Sequence, residues 1–284
     1  MKNVGYYNGK IGPLEEMTVP MNDRALYFGD GVYDATMFDN NIPFALDEHL
    51  DRFYNSCRLL SIRFPMEREA LAGELQKCID AADDDCGMLY WQTSRGTYVR
   101  SHEFPPDNIK PNLLINVRPK KFVPQDLKYR LITVEDTRFL HCNIKTLNLI
   151  PSVMAYEKAV KSGCNEAVFH RGDTVTECAH SNVSIIKDGV FITHPADNLI
   201  LPGIARKHLI ELSKEIGIPV YERAFDLSEM MNADEVAVSS STSLCIAACE
   251  IDGTAVGGKA PELIKKLQTA YKEKFLKYIK QKSL

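Results

Sequence analysis

No stretch of this sequence approaches the roughly 18 consecutive apolar residues that a membrane-spanning helix needs, so no such span is expected. The first residues, Met1-Lys-Asn-Val-Gly-Tyr-Tyr-Asn-Gly9, lack the apolar core of a secretory signal; the expectation is a cytoplasmic protein, neither exported nor inserted. Any basic excess is missing as well: 34 Lys and Arg stand against 38 Asp and Glu, a net charge of −4, which gives nucleic acid no electrostatic footprint. The 8 cysteines are scattered without a CxxC pair, and no His/Cys cluster has zinc-ligand spacing. Reduced thiols and no metal site follow. Internal repeats and low-complexity tracts are absent too.

What is there is enough for sizeable cores: 284 residues, 45% of them apolar, fit one large domain or two ordinary ones. Asn8-Gly9 suits the tight turn of a hairpin. In Phe28-Gly-Asp-Gly-Val-Tyr33 the two glycines permit a backbone path closed to other residues, and Tyr33 opens the strand after it. Residues 44–60 read as a helix capped by Asp47, with Leu50, Phe53, Cys57 and Leu60 at helical spacing. Residues 67–82 read as a second one. Strands are expected over 88–95 and 112–117, with a donor-rich loop, residues 96–106, between them. The proline and charge content of 118–125 marks a linker and puts a domain boundary near residue 120.

In the second half, residues 131–140 read as a strand and 147–159 as a buried helix, with Lys145 at the junction. The strands 167–170 and 184–186 flank a turn at Arg171-Gly-Asp173, which places Glu177 in a central, partly buried region. A strand over 190–194 leads to a helix over 207–216 with Gly203 at its start, and the strand at 236 ends in a turn rich in hydroxyls. The C-terminal stretch Pro261 to Leu284 reads as an amphipathic helix on the second domain, with Leu263, Leu267, Tyr271 and Phe275 inward.

Several of these residues can carry chemistry. An amine titrating at roughly 10.4 needs a desolvated or cationic setting to act as a nucleophile, and otherwise a lysine at a strand end snorkels to water. Lys145 is the candidate. Glu177, if buried, needs a partner, either an ordinary salt bridge or a protonated ring nitrogen. Arg100 and His102 are two apart, so an extended segment would turn both to one side and let them converge on one carboxylate. Gly203 at a helix start, and the hydroxyls of Ser240 and Ser241, are candidate phosphate contacts; as isolated features each is a common turn element.

Taken together, the FGxGxY block at Tyr33, the HxxR at Arg52, Cys142-Asn-Ile-Lys-Thr-Leu-Asn148, Asn165-Glu-Ala-Val168 and Thr174-Val-Thr-Glu-Cys-Ala-His-Ser-Asn-Val183 resemble the class IV pyridoxal-phosphate aminotransferases over nearly the whole chain. The resemblance implies an α/β (α+β) fold of type IV, with a small N-terminal domain over 1–120, a larger cofactor-binding domain over 121–284, and pyridoxal 5'-phosphate between them. It implies that Lys145 forms a Schiff base with the cofactor and moves the proton, and that Glu177 faces the ring nitrogen. Arg52, Gly203, Ile204, Ser240 and Ser241 would hold the phosphate. Tyr33, Arg100 and His102 would hold the substrate carboxylate. The RxH pair after an RGT block resembles the D-amino-acid enzymes, so the implied reaction moves an amino group between a D-amino acid such as D-alanine and a 2-oxo acid such as 2-oxoglutarate. A homodimer is implied, since in such relatives the trap reaches across a subunit boundary.

Alternatives on the same fold are a branched-chain L-amino-acid aminotransferase and an aminodeoxychorismate lyase; a binding protein without catalysis is opposed by retention of Lys145 with Glu177. Two departures stand out. Ala179-His180 follows the glutamate where close D-amino-acid enzymes have small hydroxyl residues, and Ala205 replaces a hydroxyl after Gly203-Ile204.

Overall fold

A computed structural model describes residues 1–282 of the protein. The chain divides into two compact units: one of Met1–Lys121, Ile144–Asn148 and the residues from Lys277 on, the other of Phe122–Asn143 and Leu149–Leu276. Both combine a sheet with helices, a mixed α/β architecture.

The first unit is a six-stranded antiparallel sheet. In chain order it comprises β1 (Val4–Tyr7), β2 (Lys10–Pro13), β3 (Gly31–Asp39), β4 (Ile42–Pro43), β5 (Gly87–Ser94) and β6 (Asn112–Pro119), arranged β2-β1-β6-β5-β3-β4. Asn8 and Gly9 both have positive φ and close the β1–β2 hairpin, as that turn type requires. Alternation then sorts the faces. Leu89 and Trp91 of β5, with Leu113, Ile115 and Val117 of β6, join one core with Leu50, Phe53 and Cys57 of α2 (Leu46–Leu59) and Leu71, Leu75 and Ile79 of α3 (Arg68–Asp80). Tyr33, Tyr90 and Gln92 occupy the alternate positions of β3 and β5. The short helix α1 (Arg24–Phe28) precedes β3. Gly31 is obligatory there, because a Cβ would stand 2.4 Å from the Thr93 carbonyl oxygen.

The start of α2 differs from expectation. Ala45, at φ 52°, takes the cap position without a side-chain hydrogen bond, and Asp47 lies inside the first turn, where its charge favours the helix dipole.

The second unit is built on β7 (Tyr129–Glu135), β8 (Glu166–Arg171), β9 (Thr174–Cys178), β10 (Asn182–Lys187), β11 (Val190–Thr193), β12 (Val220–Glu222), β13 (Glu235–Ser239) and β14 (Ile246–Ile251), in the order β12-β11-β10-β13-β14-β7-β8-β9, with β15 (Thr254–Ala255) paired to β14. Strand β7 stops at Glu135, before the expected residue 140; the Asp136 N–H still donates to the His170 carbonyl at 2.8 Å, and its side chain accepts from Arg138. Parallel β7 and β8 need a crossover, which α4 (Ile150–Lys161) supplies. Against expectation, this helix is not buried. Only its small residues Ser152, Ala155 and Ala159 face inward, which lets the backbone approach the sheet, while Ile150, Val153, Met154 and Val160 are exposed.

Glu177 also departs from its expected central place: β9 ends the sheet order, and the residue is nevertheless buried at 5% exposure. The helices α5 (Ile204–Glu215), α6 (Leu227–Met231) and α7 (Pro261–Lys282) complete the fold. Leu267, Tyr271 and Phe275 of α7 are inward as expected, but Ile264 takes the place expected for Leu263. The last two residues of that expected helix lie outside the described residues. No described helix is long and apolar enough to cross a membrane.

Candidate active site

Lys145 belongs to a loop stitched to β3 rather than to a strand end. The Tyr33 N–H donates to its carbonyl at 2.9 Å, Leu147 N–H donates to the Gly31 carbonyl at 3.1 Å, and the Asn148 amide donates to the Gly29 carbonyl at 3.0 Å. Val32 and Thr146 form a bridge between the same segments. The Lys145 N–H reaches Ser56 Oγ of α2 at 3.3 Å. So held, its Nζ donates to the Tyr33 hydroxyl at 3.3 Å and stands 4.3 Å from that ring's centroid. Tyr33 in turn stacks on Tyr90, with centroids 5.4 Å apart. The Tyr90 hydroxyl donates to Gln92 Oε1 at 2.7 Å, and burial, with Tyr33 adding to it, pushes that phenol well above its ordinary range.

Behind Tyr33 lies a charged core. Asp34 is fully buried and accepts from Arg52 Nε at 2.9 Å, Arg52 Nη2 at 2.7 Å and His49 Nδ1 at 2.8 Å. Burial alone would raise its pKa, but the charge of Arg52, then the His49 contact, outweighs it and holds the carboxyl well below its usual range. Burial lowers His49, and a neutral ring that donates from Nδ1 suits its contact with Asp34. Sequence reading singles out Arg52 but misses Asp34 and His49. The signal is available: in His49-Leu-Asp-Arg52 the polar ends lie one helical turn apart, on the face that also carries Phe53.

Arg100 and His102 do share a side, and what they meet is Phe28. The Arg100 guanidinium carbon is 5.3 Å from that ring's centroid and the His102 ring 5.2 Å. Both are exposed, and among the described residues neither hydrogen-bonds Lys145 or Tyr33.

In the second unit Glu177 is held from both sides. Its Oε1 accepts from Arg138 Nη1 at 2.5 Å; its Oε2 accepts from Asn182 Nδ2 and from the Leu201 N–H, each at 3.0 Å. Burial works against the charge on Arg138, but hydrogen bonds to Asp136 and the charge of Glu177 raise its pKa, so it is a fixed cation. Neither Arg138 nor Asn182 is found from sequence.

Asn182 also explains Gly203. A Cβ there would stand 2.0 Å from Asn182 Oδ1, although φ −65° and ψ 137° suit any residue. Gly203 is the N-cap of α5, and Ile204 and the buried Ala205 begin its first turn, which presents backbone N–H groups and the positive dipole end. Ser240 and Ser241 form the half-buried turn after β13, where Ser240 Oγ lies 2.8 Å from Ser243 Oγ and 3.1 Å from Thr242 Oγ1. The substituted pair Ala179-His180 is accommodated apart from Glu177: His180 Nδ1 is 2.7 Å from the buried Glu166, whose Oε2 also accepts from Ser181 Oγ at 2.6 Å.

The chain thus offers an oriented amine beside a phenol, a buried carboxylate whose two oxygens both act as acceptors, and a helix start preceded by glycine. Taken one by one, the amine suits a carbonyl, the buried carboxylate a ring nitrogen and the helix start a phosphate.

A family model described as amino-transferase class IV matches residues 31–251. The chain is 37% identical over 274 residues to a D-alanine aminotransferase of Listeria monocytogenes serotype 4b (strain F2365), with 95% of each chain covered. It is also 37% identical over 281 residues to a D-alanine aminotransferase of Staphylococcus haemolyticus, with 98% of each covered. Among solved structures, a branched-chain amino acid aminotransferase from Escherichia coli superposes with a TM-score of 0.87 at 22% identity, covering 97% of this chain and 95% of that one. A branched-chain aminotransferase from the thermophilic archaeon Thermoproteus uzoniensis, solved with norvaline, superposes with a TM-score of 0.85 at 22% identity over 97% of each chain. At that identity the two structures establish the fold.

Proposed function

The chain belongs to the class IV aminotransferases, and from that premise we propose that it transfers the amino group of a D-amino acid such as D-alanine to a 2-oxo acid such as 2-oxoglutarate. The observation that carries the reading is the Lys145 amine held against the Tyr33 hydroxyl in a loop stitched to β3. Pyridoxal 5'-phosphate, the cofactor of this class, supplies a reactive carbonyl and an electron sink when bound.

Lys145 is the residue that anchors it and then carries the proton on and off the substrate carbon, one amine serving both tasks. Tyr33 orients that amine with a single hydrogen bond. Glu177 faces the ring nitrogen; Arg138 and Asn182, each donating to one of its oxygens, keep it oriented. Arg52, Gly203, Ile204, Ser240 and Ser241 bind the phosphate, with Asp34 setting the plane of the Arg52 guanidinium. Arg100 and His102 take the substrate carboxylate and so decide which hydrogen is presented to Lys145. The RxH pair and the near-full-length likeness to D-alanine aminotransferases support D- over L-substrates.

We place the reaction in a cytoplasmic homodimer. The eight free cysteines support a reducing compartment. The exposed apolar side chains Leu26, Val99 and Phe104 near the trap, and Ile150, Val153 and Met154 on α4, support a self-associating surface.

The test is amino transfer to 2-oxoglutarate from D-alanine and, separately, from L-leucine, with chiral analysis of the glutamate. D-glutamate from D-alanine is expected; L-glutamate from L-leucine alone would refute the reading.

A further inference from the structure

The loop that carries Arg100 and His102 has no regular secondary structure, yet it is fastened from beneath. Phe28, which both side chains touch, is the last residue of α1. Arg24, the first residue of that helix, stands one turn earlier and sets its guanidinium carbon 4.9 Å from the same ring. Arg24 is only 3% exposed. Its Nε donates to Asp30 Oδ2 at 2.7 Å and its Nη1 donates to the carbonyl of Ser101 at 2.7 Å, the residue between Arg100 and His102.

Asp30 has a second cationic partner besides Arg24. Arg95 Nε lies 3.0 and 2.9 Å from its two oxygens, and Arg95 donates onward to the carbonyls of Leu60 and Ser61. A buried arginine beside an acid already paired contributes something else: it ties the loop's main chain to a rigid base.

We propose that Arg24 is a positioning residue which, by holding the Ser101 carbonyl and backing Phe28, fixes the aim of Arg100 and His102 and thereby sets the affinity for the amino acid's carboxylate. This rests on the reading above that Arg100 and His102 bind that carboxylate. Arg24 itself touches no substrate.

The experiment compares wild-type holoenzyme with Arg24→Met, with Phe28→Leu as a second variant that removes the ring but keeps the guanidinium, and with Arg100→Ala as the reference for a lost carboxylate contact. Four quantities are measured: kcat and KM for D-alanine, the rate of cofactor capture by methoxyamine, which has no carboxylate, and hydrogen exchange of the amides at 99–103 in the apo protein. For Arg24→Met the expected result is a KM raised about 10-fold or more, the fold-change of one charge-assisted hydrogen bond. Its kcat stays within about threefold, the signature of lost binding rather than lost chemistry. Methoxyamine capture is unchanged and exchange at 99–103 is faster. Phe28→Leu moves the same readouts in the same direction. An unchanged KM, unchanged exchange, or D-alanine and methoxyamine rates that fall together overturn the proposal. A wild-type enzyme that ignores D-alanine but is captured by methoxyamine overturns the substrate reading instead, and the exchange readout still tests the Arg24 contact by itself.

Discussion

Gly203→Ala is a severe perturbation at a residue whose backbone angles would tolerate alanine. The backbone angles, φ −65° and ψ 137°, are open to any side chain, so no conformational strain enters. The added methyl would instead stand 2.0 Å from Asn182 Oδ1, more than 1 Å inside van der Waals contact, and Asn182 must leave. Its Nδ2 then abandons the Glu177 carboxylate and the Leu201 carbonyl, each now at 3.0 Å. A hydrogen bond to a charged group is worth about 2 kcal/mol and one to a carbonyl about 1 kcal/mol, so the displacement costs about 3 kcal/mol. Alanine in place of glycine at an N-cap adds up to about 1 kcal/mol, for about 4 in all.

A cycle with Asn182→Ala separates the two parts. That variant alone loses the same two hydrogen bonds, about 3 kcal/mol, and removes the atom with which the new methyl would collide. The double variant is therefore expected to be destabilised by about 4 kcal/mol rather than the additive 7. Urea unfolding followed by circular dichroism reads this as midpoints at constant slope. Midpoints that add, or a Gly203→Ala protein that unfolds with the wild type, would refute the claim that Gly203 is glycine for the sake of Asn182.

Three further outcomes follow from the same geometry. Lys145→Ala should bind no cofactor covalently, seen as loss of borohydride-fixed mass, and should lose transamination with it; steady turnover would sink its role. Arg138→Met leaves Glu177 and Asp136 buried without their shared cation and should cost about 3 kcal/mol, at the low end for breaking a buried pair because Arg171 and Asn182 still donate to these acids; an unchanged urea midpoint would count against it. Asp34 has a folded pKa below its unfolded one, so its contribution is fully present above about pH 4 and is lost as pH falls toward the folded value. Asp34→Asn should thus lower the urea midpoint at pH 7 and converge on wild type in the acid, whereas a pH-independent gap would exclude the ion-pair account.

How much of this is legible in the sequence depends on whether the cause is local. The Asn8-Gly9 hairpin, the Leu71, Leu75 and Ile79 stripe of α3 and the glycine before α5 are visible because turn chemistry and periodicity act over a few residues. Arg138 and Glu177 are 39 residues apart, and their pairing depends on where β7 stops and β9 runs, which no spacing encodes. Asp34 hides for another reason: an acid in the middle of a mostly buried strand reads as a solvent face, and only its pairing with Arg52 and His49 makes burial tolerable. The outward face of α4 is misread because apolar periodicity says that a face is covered and does not say by what.

Two buried carboxylates, Asp34 in one unit and Glu177 in the other, are each clamped by an arginine, and neither arrangement is the cheapest way to fold this chain. Well-packed apolar residues in place of a buried ion pair are commonly neutral or more stabilising, since desolvation consumes much of the Coulombic gain. Asp34 sits in β3 among Val32, Thr36 and Phe38, where a leucine would serve the core well. What an apolar residue cannot supply is a guanidinium held in one plane by two parallel hydrogen bonds, or a carboxylate whose oxygens point in one direction because both are taken by donors. The pairs therefore make most sense as orienting devices: Asp34 fixes Arg52 at the end of a flexible side chain, and Arg138 with Asn182 fixes Glu177. Charge placement in a transaminase has to hold while substrate and product carry different charges, and a rotamer locked by two partners resists that change where a solvated one would follow it.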